Sequence, residues 1–324
     1  MSDQRPVVLI PGRIHPRVRE RAEAEFDAVF IDAADAALID AQTRSRVKGI
    51  AAMTTVSADF IDALPNLAII ANFGVGYDAV DAPHAASRGI MVTNTPDVLS
   101  DEVADTTVGL LLNTLRELPK AETYLRAGRW AKEGPYRLTP LTLRGRTIGV
   151  FGLGRIGLAI ARRLEAFGVG IHYHTRTRRT DVDYPWHETL AGMAKAVDTL
   201  IVVVPGGPAT DKAVNADILD ALGPDGVLIN VGRGSTVDET ALIAALTERR
   251  IAAAGLDVFA NEPHVQQALI DLPNACLLPH VASASVSTRN AMADLVVDNL
   301  AAWLAGGAAI TAVPECAALN RKPE

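Results

Sequence analysis

Three ionisable side chains stand where open α/β sheets keep their chemistry. Arg233 lies in Val231-Gly232-Arg233-Gly234, Glu262 in Asn261-Glu262-Pro263, and His280 in Pro279-His280-Val281. Each follows a short apolar run that reads as a buried strand: Val227–Val231, Ala252–Leu256 and Cys276–Leu278. The carboxyl ends of strands form the edge at which such sheets bind ligands. A guanidinium there presents a planar fork that matches a carboxylate or phosphate. An imidazole is the side chain best suited to proton transfer near neutral pH. Taken singly, each residue has an ordinary alternative: a surface salt bridge for Arg233, a helix-start acid for Glu262, a satisfied core residue for His280. Their order along the chain, downstream of a nucleotide fingerprint, points instead to one site.

That fingerprint is Gly152-Leu153-Gly154-Arg155-Ile156-Gly157. A lone G-x-G-x-x-G says little. This one follows the strand Thr147–Phe151 and opens a helix carrying Leu158, Ile160, Ala161 and Leu164, the context a dinucleotide site requires. Gly152 permits the tight turn, Gly154 lets the backbone approach a pyrophosphate, and Gly157 lets helix and strand pack closely. Backbone N–H groups at the helix start then bind phosphate. The alternative is a glycine-rich turn with no ligand.

Sites that prefer NAD place an acid near the end of the next strand, on the ribose 2′-hydroxyl. Here the stretch reads His172-Tyr173-His174-Thr175-Arg176-Thr177-Arg178-Arg179, and no carboxylate appears before Asp181. Arg forms bidentate, charge-assisted bonds with phosphate, so Thr175, Arg176, Thr177 and Arg178 predict NADPH over NADH. Hydrogen bonds to charged groups contribute roughly 1.5–3 kcal/mol each. Two of them give a preference on the order of a hundredfold after discounting for solvent. The alternative is an exposed basic turn. His172 and His174 share a strand face, but no further ligands accompany them, and no metal is expected.

The elements that must position these residues alternate along the chain. Pro6–Ile10, Gly49–Met53, Leu67–Ala71 and Ile90–Thr93 read as short buried strands, with a charged helix over Pro16–Phe26. Ser100-Asp101-Glu102 offers a helix cap with acids in the first turn, and an apolar helix follows from about Val103 to Leu118. Gly128–Arg146 reads as loop. A second series then runs Thr147–Phe151, Val169–His174, Leu200–Val204, Val227–Val231, Ala252–Leu256 and Cys276–Leu278. Its helices include Arg155–Phe167 and Glu239–Arg249, and Val286–Leu304 closes the chain. Short apolar strands separated by helices imply parallel sheets covered on both faces. A long helix at each end of the second series suggests a domain of residues 100–286 inserted into one made of 1–99 plus 287–324.

The chain has 324 residues, 49% of them hydrophobic, enough for two cores. Its net charge of −7 and lack of a basic stripe argue against a nucleic-acid partner. Two cysteines, Cys276 and Cys316, make neither a disulfide framework nor a zinc pattern. Met1–Arg5 is polar and does not resemble a secretory leader. No apolar run approaches the roughly 20 residues that span a bilayer. A reducing, cytoplasmic setting and no membrane partner are expected.

The sequence resembles the D-isomer-specific 2-hydroxyacid dehydrogenases over nearly its whole length. The resemblance rests on Gly152–Gly157, on Asn230-Val231-Gly232-Arg233-Gly234 with Val237-Asp238-Glu239, on Gly255-Leu256-Asp257-Val258-Phe259, on Glu262-Pro263 and on Pro279-His280. Within the family it is most similar to NADPH-dependent glyoxylate/hydroxypyruvate reductases, with hydroxyphenylpyruvate reductases close by. It implies a Rossmann coenzyme domain inserted into a flavodoxin-like substrate domain, and a homodimer. The helix after Val103 and the loop Gly128–Pro140 would form the dimer interface.

The resemblance also implies roles. Arg233 would hold the substrate carboxylate and polarise the keto oxygen. His280 would donate the proton, and Glu262 would pair with His280 and favour its protonated form. Val75 and Gly76, in Asn72-Phe73-Gly74-Val75-Gly76, resemble a loop whose N–H groups meet the substrate carboxylate; a glycine turn ending a strand is the alternative. Asp257 resembles a contact of the nicotinamide carboxamide. Val204 and Pro205 resemble the strand end beside the adenosine. Val231 and Gly232, Thr107 and Ser283 resemble residues near the diphosphate or nicotinamide. Core or capping roles stay open for these. The sequence departs from relatives at Ser285, where Thr is frequent. Two competing readings are an NAD-dependent formate, phosphite or phosphoglycerate dehydrogenase and a catalytically silent nucleotide-sensing protein of the corepressor type.

Overall fold

A computed structural model describes residues 5–320, so most of the polar start of the chain lies outside the described residues. The chain divides into two units, Met1–Leu99 with Ala284–Glu324, and Ser100–Ser283. The second junction falls three residues before the one read from sequence. Ser285 caps the last helix through its hydroxyl, so the turn that starts this helix belongs with it.

The first unit holds a five-stranded parallel sheet of β1 (Val7–Pro11), β2 (Asp27–Ile31), β3 (Val47–Ala52), β4 (Ile69–Asn72) and β5 (Met91–Thr93), in the order β2-β1-β3-β4-β5. β1, β4 and β5 are buried along their whole length. β2 is an edge strand, with only part of its surface covered; its mixed pattern hid it from sequence reading. The C-terminal helix Val286–Gly306 is built into this unit. Arg17 Nε donates to Asp294 Oδ1 at 2.7 Å, and Arg21 reaches Asp298 at 2.8 Å, binding it to the helix Pro16–Glu25. Trp303 Nε1 donates to the Ala68 carbonyl at 2.9 Å. The amide oxygen of buried Asn299 accepts from the N–H groups of Ile310 and Thr311.

The second unit holds seven parallel strands: β6 (Thr147–Phe151), β7 (Gly170–His174), β8 (Trp186–His187), β9 (Thr199–Val202), β10 (Val227–Asn230), β11 (Ala253–Leu256) and β12 (Ala275–Leu277). Their order is β12-β11-β10-β9-β6-β7-β8. The chain winds outward from β6 to β8, returns to β9 on the other side of β6, and winds outward again. The reversal between β6 and β9 is the switch point at which doubly wound sheets bind ligands. Both sheets match the expected fold class.

Two local differences have physical causes. The stretch read as loop after Gly128 contains a short helix, Arg129–Glu133, preceded by the helix Leu118–Arg126. Gly128, at φ 69°, ends one helix and starts the next, and Arg129 pairs with Glu133 while lying 4.6 Å from the Tyr124 ring centre. Ser100 is the first helical residue of Ser100–Arg116 rather than its cap, and its hydroxyl is buried with no hydrogen-bond partner among the described residues.

Candidate active site and nucleotide site

The nucleotide turn is shaped by contacts that only glycine allows. Gly152, at φ 101°, would place a Cβ 2.8 Å from Val204 Cγ1. A Cβ on Gly157 would fall 2.1 Å from the Gly152 carbonyl oxygen. These two glycines are demanded by the protein's own packing. Gly154 is different: a Cβ there meets nothing within 4 Å. It is the N-cap of the helix Arg155–Glu165 and has no side chain with which to cap the first-turn N–H groups. The turn thus leaves open space at a helix N-terminus, where backbone donors and the helix dipole favour an anion.

The loop after β7 is staked at both ends. Fully buried Tyr173 accepts the Arg179 N–H on its hydroxyl at 2.9 Å. Trp186 Nε1 donates to the Thr175 carbonyl at 3.1 Å, and the Thr175 hydroxyl donates to the Thr177 carbonyl at 2.7 Å. Arg179 is occupied by Asp181 and by the Leu153 carbonyl, 2.6 Å away, which links this loop to the glycine turn. Arg176 and Arg178 are exposed. The first acid downstream is therefore already paired with Arg179, and the guanidiniums of Arg176 and Arg178 face solvent. His172 and His174 face His187 instead: His172 Nδ1 lies 2.9 Å from His187 Nε2, and His174 Nδ1 lies 2.9 Å from the His187 carbonyl. Among the described residues no group of three or more His, Cys, Asp and Glu is placed to hold a metal.

The ionisable set gathers at the carboxyl edge of the same sheet. His280 Nδ1 lies 2.6 Å from Glu262 Oε2. The other carboxylate oxygen of Glu262 accepts the Phe259 N–H at 3.0 Å. Burial alone would raise the Glu262 pKa. The His280 hydrogen bond, the Phe259 N–H and the charges of His280 and Arg233 outweigh it and hold the carboxyl below its ordinary range. Arg233 thus acts on Glu262 through its field, while its Nη1 donates to the Gly232 carbonyl at 2.9 Å.

Each member is held by a polar group that sequence reasoning did not single out for this role. The Asn230 side chain accepts the Gly232 N–H at 3.0 Å and donates to the Arg233 carbonyl at 2.9 Å, folding the Arg233 turn back onto β10. His280 has a left-handed backbone, φ 53°. Such a conformation costs a non-glycine residue about 1–3 kcal/mol and persists where its surroundings over-determine it. Asp257 does so. Its carbonyl accepts the His280 N–H at 2.8 Å, and its carboxylate accepts those of Val281 at 2.7 Å and Ala282 at 2.9 Å. Asp257 is fully buried, and burial raises its pKa against the pull of those two donors. The Thr106 hydroxyl donates to the Ala282 carbonyl at 3.1 Å.

The remaining expected residues are placed as follows. Val204 and Pro205 follow β9, Val231 and Gly232 follow β10, and Ser283 follows the His280 turn. Thr107 is fully buried in its helix and donates to the Val103 carbonyl at 2.6 Å. Val75 and Gly76 lie in the first unit, in the turn after β4. Asn72 Nδ2 donates to the Gly74 and Gly76 carbonyls at 3.1 Å each, and Asn94 Nδ2 to that of Val75 at 2.8 Å. Among the described residues no backbone carbonyl accepts the Val75 or Gly76 N–H. Beside this turn His15 stacks on Phe73 with ring centres 5.7 Å apart. Burial, then the charges of Arg289 and Arg17, lower its pKa.

A family model described as the NAD binding domain of D-isomer specific 2-hydroxyacid dehydrogenases matches residues 108–282. The crystal structure of an NADPH-dependent glyoxylate/hydroxypyruvate reductase from Sinorhizobium meliloti, in complex with NADP and malonate, is 64% identical with a TM-score of 0.96. The alignment covers 99% of this chain and 100% of that one. A glyoxylate/hydroxypyruvate reductase of Arabidopsis thaliana is 47% identical over 83% of this chain and 86% of its own. A hydroxyphenylpyruvate reductase of Plectranthus scutellarioides is 47% identical over 79% and 81%. The motif-level resemblance therefore holds along the chain, and the protein belongs to the D-isomer-specific 2-hydroxyacid dehydrogenase family.

Proposed function

We propose that this protein is an NADPH-dependent reductase that converts a small 2-keto acid, glyoxylate or hydroxypyruvate, to the 2-hydroxy acid, of D configuration where C2 is chiral. The observation that carries the reading is the 2.6 Å contact of His280 with Glu262, on the sheet edge that also bears the glycine turn. The solved relative from Sinorhizobium meliloti, with NADP bound, supports the cofactor and the substrate class.

When bound, NADPH supplies the hydride that reaches C2 of the keto acid. The residues present fit it. Gly152, Leu153, Gly154, Arg155, Ile156 and Gly157 would hold the pyrophosphate, and Thr175, Arg176, Thr177 and Arg178 the 2′-phosphate. Val204 and Pro205 would flank the adenosine; Val231, Gly232 and Ser283 would line the nicotinamide end, with Thr107 and Asp257 supporting it. Arg233 would bind the substrate carboxylate through its fork and draw electron density from the keto oxygen. From the first unit, the Val75 and Gly76 N–H groups are proposed as further carboxylate donors. Glu262, kept ionised, accepts Nδ1–H of His280 and so fixes the imidazole orientation. The proton for the keto oxygen then leaves from Nε2.

The test follows loss of nicotinamide absorbance with NADPH and with NADH on glyoxylate, hydroxypyruvate and hydroxyphenylpyruvate. Turnover on one of the first two, faster with NADPH, is the expected result. Preference for the aromatic acid moves the assignment to the activity named for the Plectranthus relative. NADPH binding with no turnover on any of the three sinks the substrate reading.

We also propose a homodimer in the cytoplasm, with no nucleic-acid partner. Leu118 and Leu125 in the helix Leu118–Arg126, Trp130 in the helix Arg129–Glu133 and Leu138 in the loop after it are exposed apolar side chains, Leu138 at 94%. A second copy would cover them. The two free cysteines suit a reducing compartment, and the net charge of −7 disfavours nucleic acid. No helix among the described residues is long and apolar enough to cross a membrane. Light scattering on the purified protein measures the dimer directly; a monomer at micromolar concentration rules it out.

A further inference from the structure

The segment carrying Glu262 has almost no backbone support of its own. Among the described residues, no backbone–backbone hydrogen bond ties 258–265 to a strand, a helix or another loop; the segment runs between β11 and the helix Gln267–Ile270, with a turn at 260–263. Backbone that is not tied into ladders is free to open locally. Yet Glu262 must stay within hydrogen-bond reach of His280. The stakes that hold the segment come from elsewhere, and the strongest is Glu239.

Glu239 is the first residue of the helix Glu239–Thr247 and is buried, with 8% of its surface exposed. It does not cap its own helix; Asp238 does, accepting the N–H groups of Thr240 and Ala241. The carboxylate is turned across to the Glu262 segment. Oε1 accepts the Ala260 N–H at 2.6 Å, and Oε2 accepts from Gln266 Nε2 at 2.9 Å. It therefore holds the segment on both sides of Glu262. Gly234, next to Arg233, abuts the same place: a Cβ there would fall 1.8 Å from the Phe259 carbonyl carbon. The backbone beside Arg233 and the backbone beside Glu262 are thus in contact, and Glu239 clamps that contact.

We propose that Glu239 is a positioning residue for the reaction: it holds Glu262 against His280 without itself reaching substrate or cofactor. This rests on the proposed reading of His280 and Glu262 as the proton-donating pair. Misplacing a group by about 1 Å can cost on the order of a hundredfold in rate. Removing the clamp is therefore expected to lower kcat by roughly ten- to a hundredfold, with little effect on NADPH affinity. A Glu262 carboxyl that keeps its burial and loses His280 also protonates more easily, so the acidic limb of the kcat/KM profile moves to higher pH.

The variants are E239L, which keeps the volume and removes both acceptors, and E239Q, which can remake both contacts if the Gln266 amide turns over. Q266L, which removes one contact and spares Ala260, serves if E239L does not fold. The expected pattern is a lower kcat and a raised acidic limb in E239L, a smaller change of the same kind in Q266L, and near-normal behaviour in E239Q. The Glu262 carboxylate is also titrated by carbon NMR on glutamate-labelled protein, assigned with E262Q. That reading needs no turnover. If the unaltered protein reduces none of the keto acids, the function reading fails, while the titration still judges the clamp. A folded E239L or Q266L whose acidic limb and Glu262 titration match the unaltered protein overturns the proposal. So does an E239Q as impaired as E239L, because its restored contacts would then have achieved nothing.

Discussion

The β7–β8 loop and the frame around His280 lie on one sheet edge and are built in opposite ways. The loop is staked at its ends by Tyr173 and Trp186, and its proposed working groups, Arg176 and Arg178, project into solvent. The frame turns its polar groups inward. Asp257 is fully buried beneath His280, Glu239 is buried behind Glu262, and Asn230 is buried behind Arg233. Recognising a phosphate needs charge at roughly the right distance, which exposed, adaptable side chains provide. Transferring a proton needs a fixed geometry, and buried, fully satisfied polar networks provide that. Substitutions in the loop should therefore alter which cofactor binds and leave stability alone. Substitutions in the frame should alter turnover and stability together.

The largest effect expected is at the centre of the frame. His280→Ala removes the proposed proton donor, and general acid catalysis contributes typically about 10²- to 10⁴-fold. Single-turnover kinetics should show a kcat loss of that order, with NADPH affinity unchanged by fluorescence titration. Near-normal turnover would remove His280 from the mechanism. The next largest lies in the loop. Arg176→Ala with Arg178→Ala should weaken NADPH binding on the order of a hundredfold, from two lost charge-assisted bonds, while NADH binding and the melting temperature hold. An equal loss for both cofactors would mean that the loop does not read the 2′-phosphate. The glycine turn divides the same way on a smaller scale. Gly154→Ala puts a methyl into open space, so the fold should be unaffected while NADPH affinity drops about tenfold, the lower end of the cost of overpacking. Gly157→Ala drives a methyl into the Gly152 carbonyl and should lower stability first. Calorimetry on both variants separates the two outcomes.

The loop was more legible than the frame for a physical reason. Exposed arginines and a glycine turn are chemistry written in residue types at short spacing, and Gly152–Gly157 with Arg176 and Arg178 could be read directly. Arg233, Glu262 and His280 were visible because each follows a buried apolar run. What holds them was not. Nothing in the type of Thr106 or Glu239 says that its partner lies on another loop, because those contacts exist only once the chain is folded, whereas Asn230 reaches only the turn that follows its own strand. In sequence Asp257 resembles a nicotinamide contact, and its bonds to Val281 and Ala282 are invisible there for the same reason. The strands that were missed, β2 and β8, are both edge strands, where partial exposure weakens the apolar signal.

The smallest effect expected is also a test of whether the frame couples turnover to stability. Glu262 is ionised more readily in the folded protein than in an unfolded chain, where its pKa returns to about 4.3. A group with a depressed folded pKa stabilises the fold above its unfolded pKa, and that stabilisation is lost as pH falls through the folded value. The window therefore lies below about pH 5. The Glu262 side chain is 33% exposed, so solvent screens the pair and the contribution is about 1 kcal/mol or less. Glu262→Gln cannot ionise. Denaturant unfolding from neutral to acidic pH should show it slightly less stable than the unaltered protein at neutral pH, with the two curves converging in acid. An unchanged slope across that window would show that the pair holds geometry alone. Frame and loop would then differ only in what they touch, and not in how they are tied to the stability of the fold.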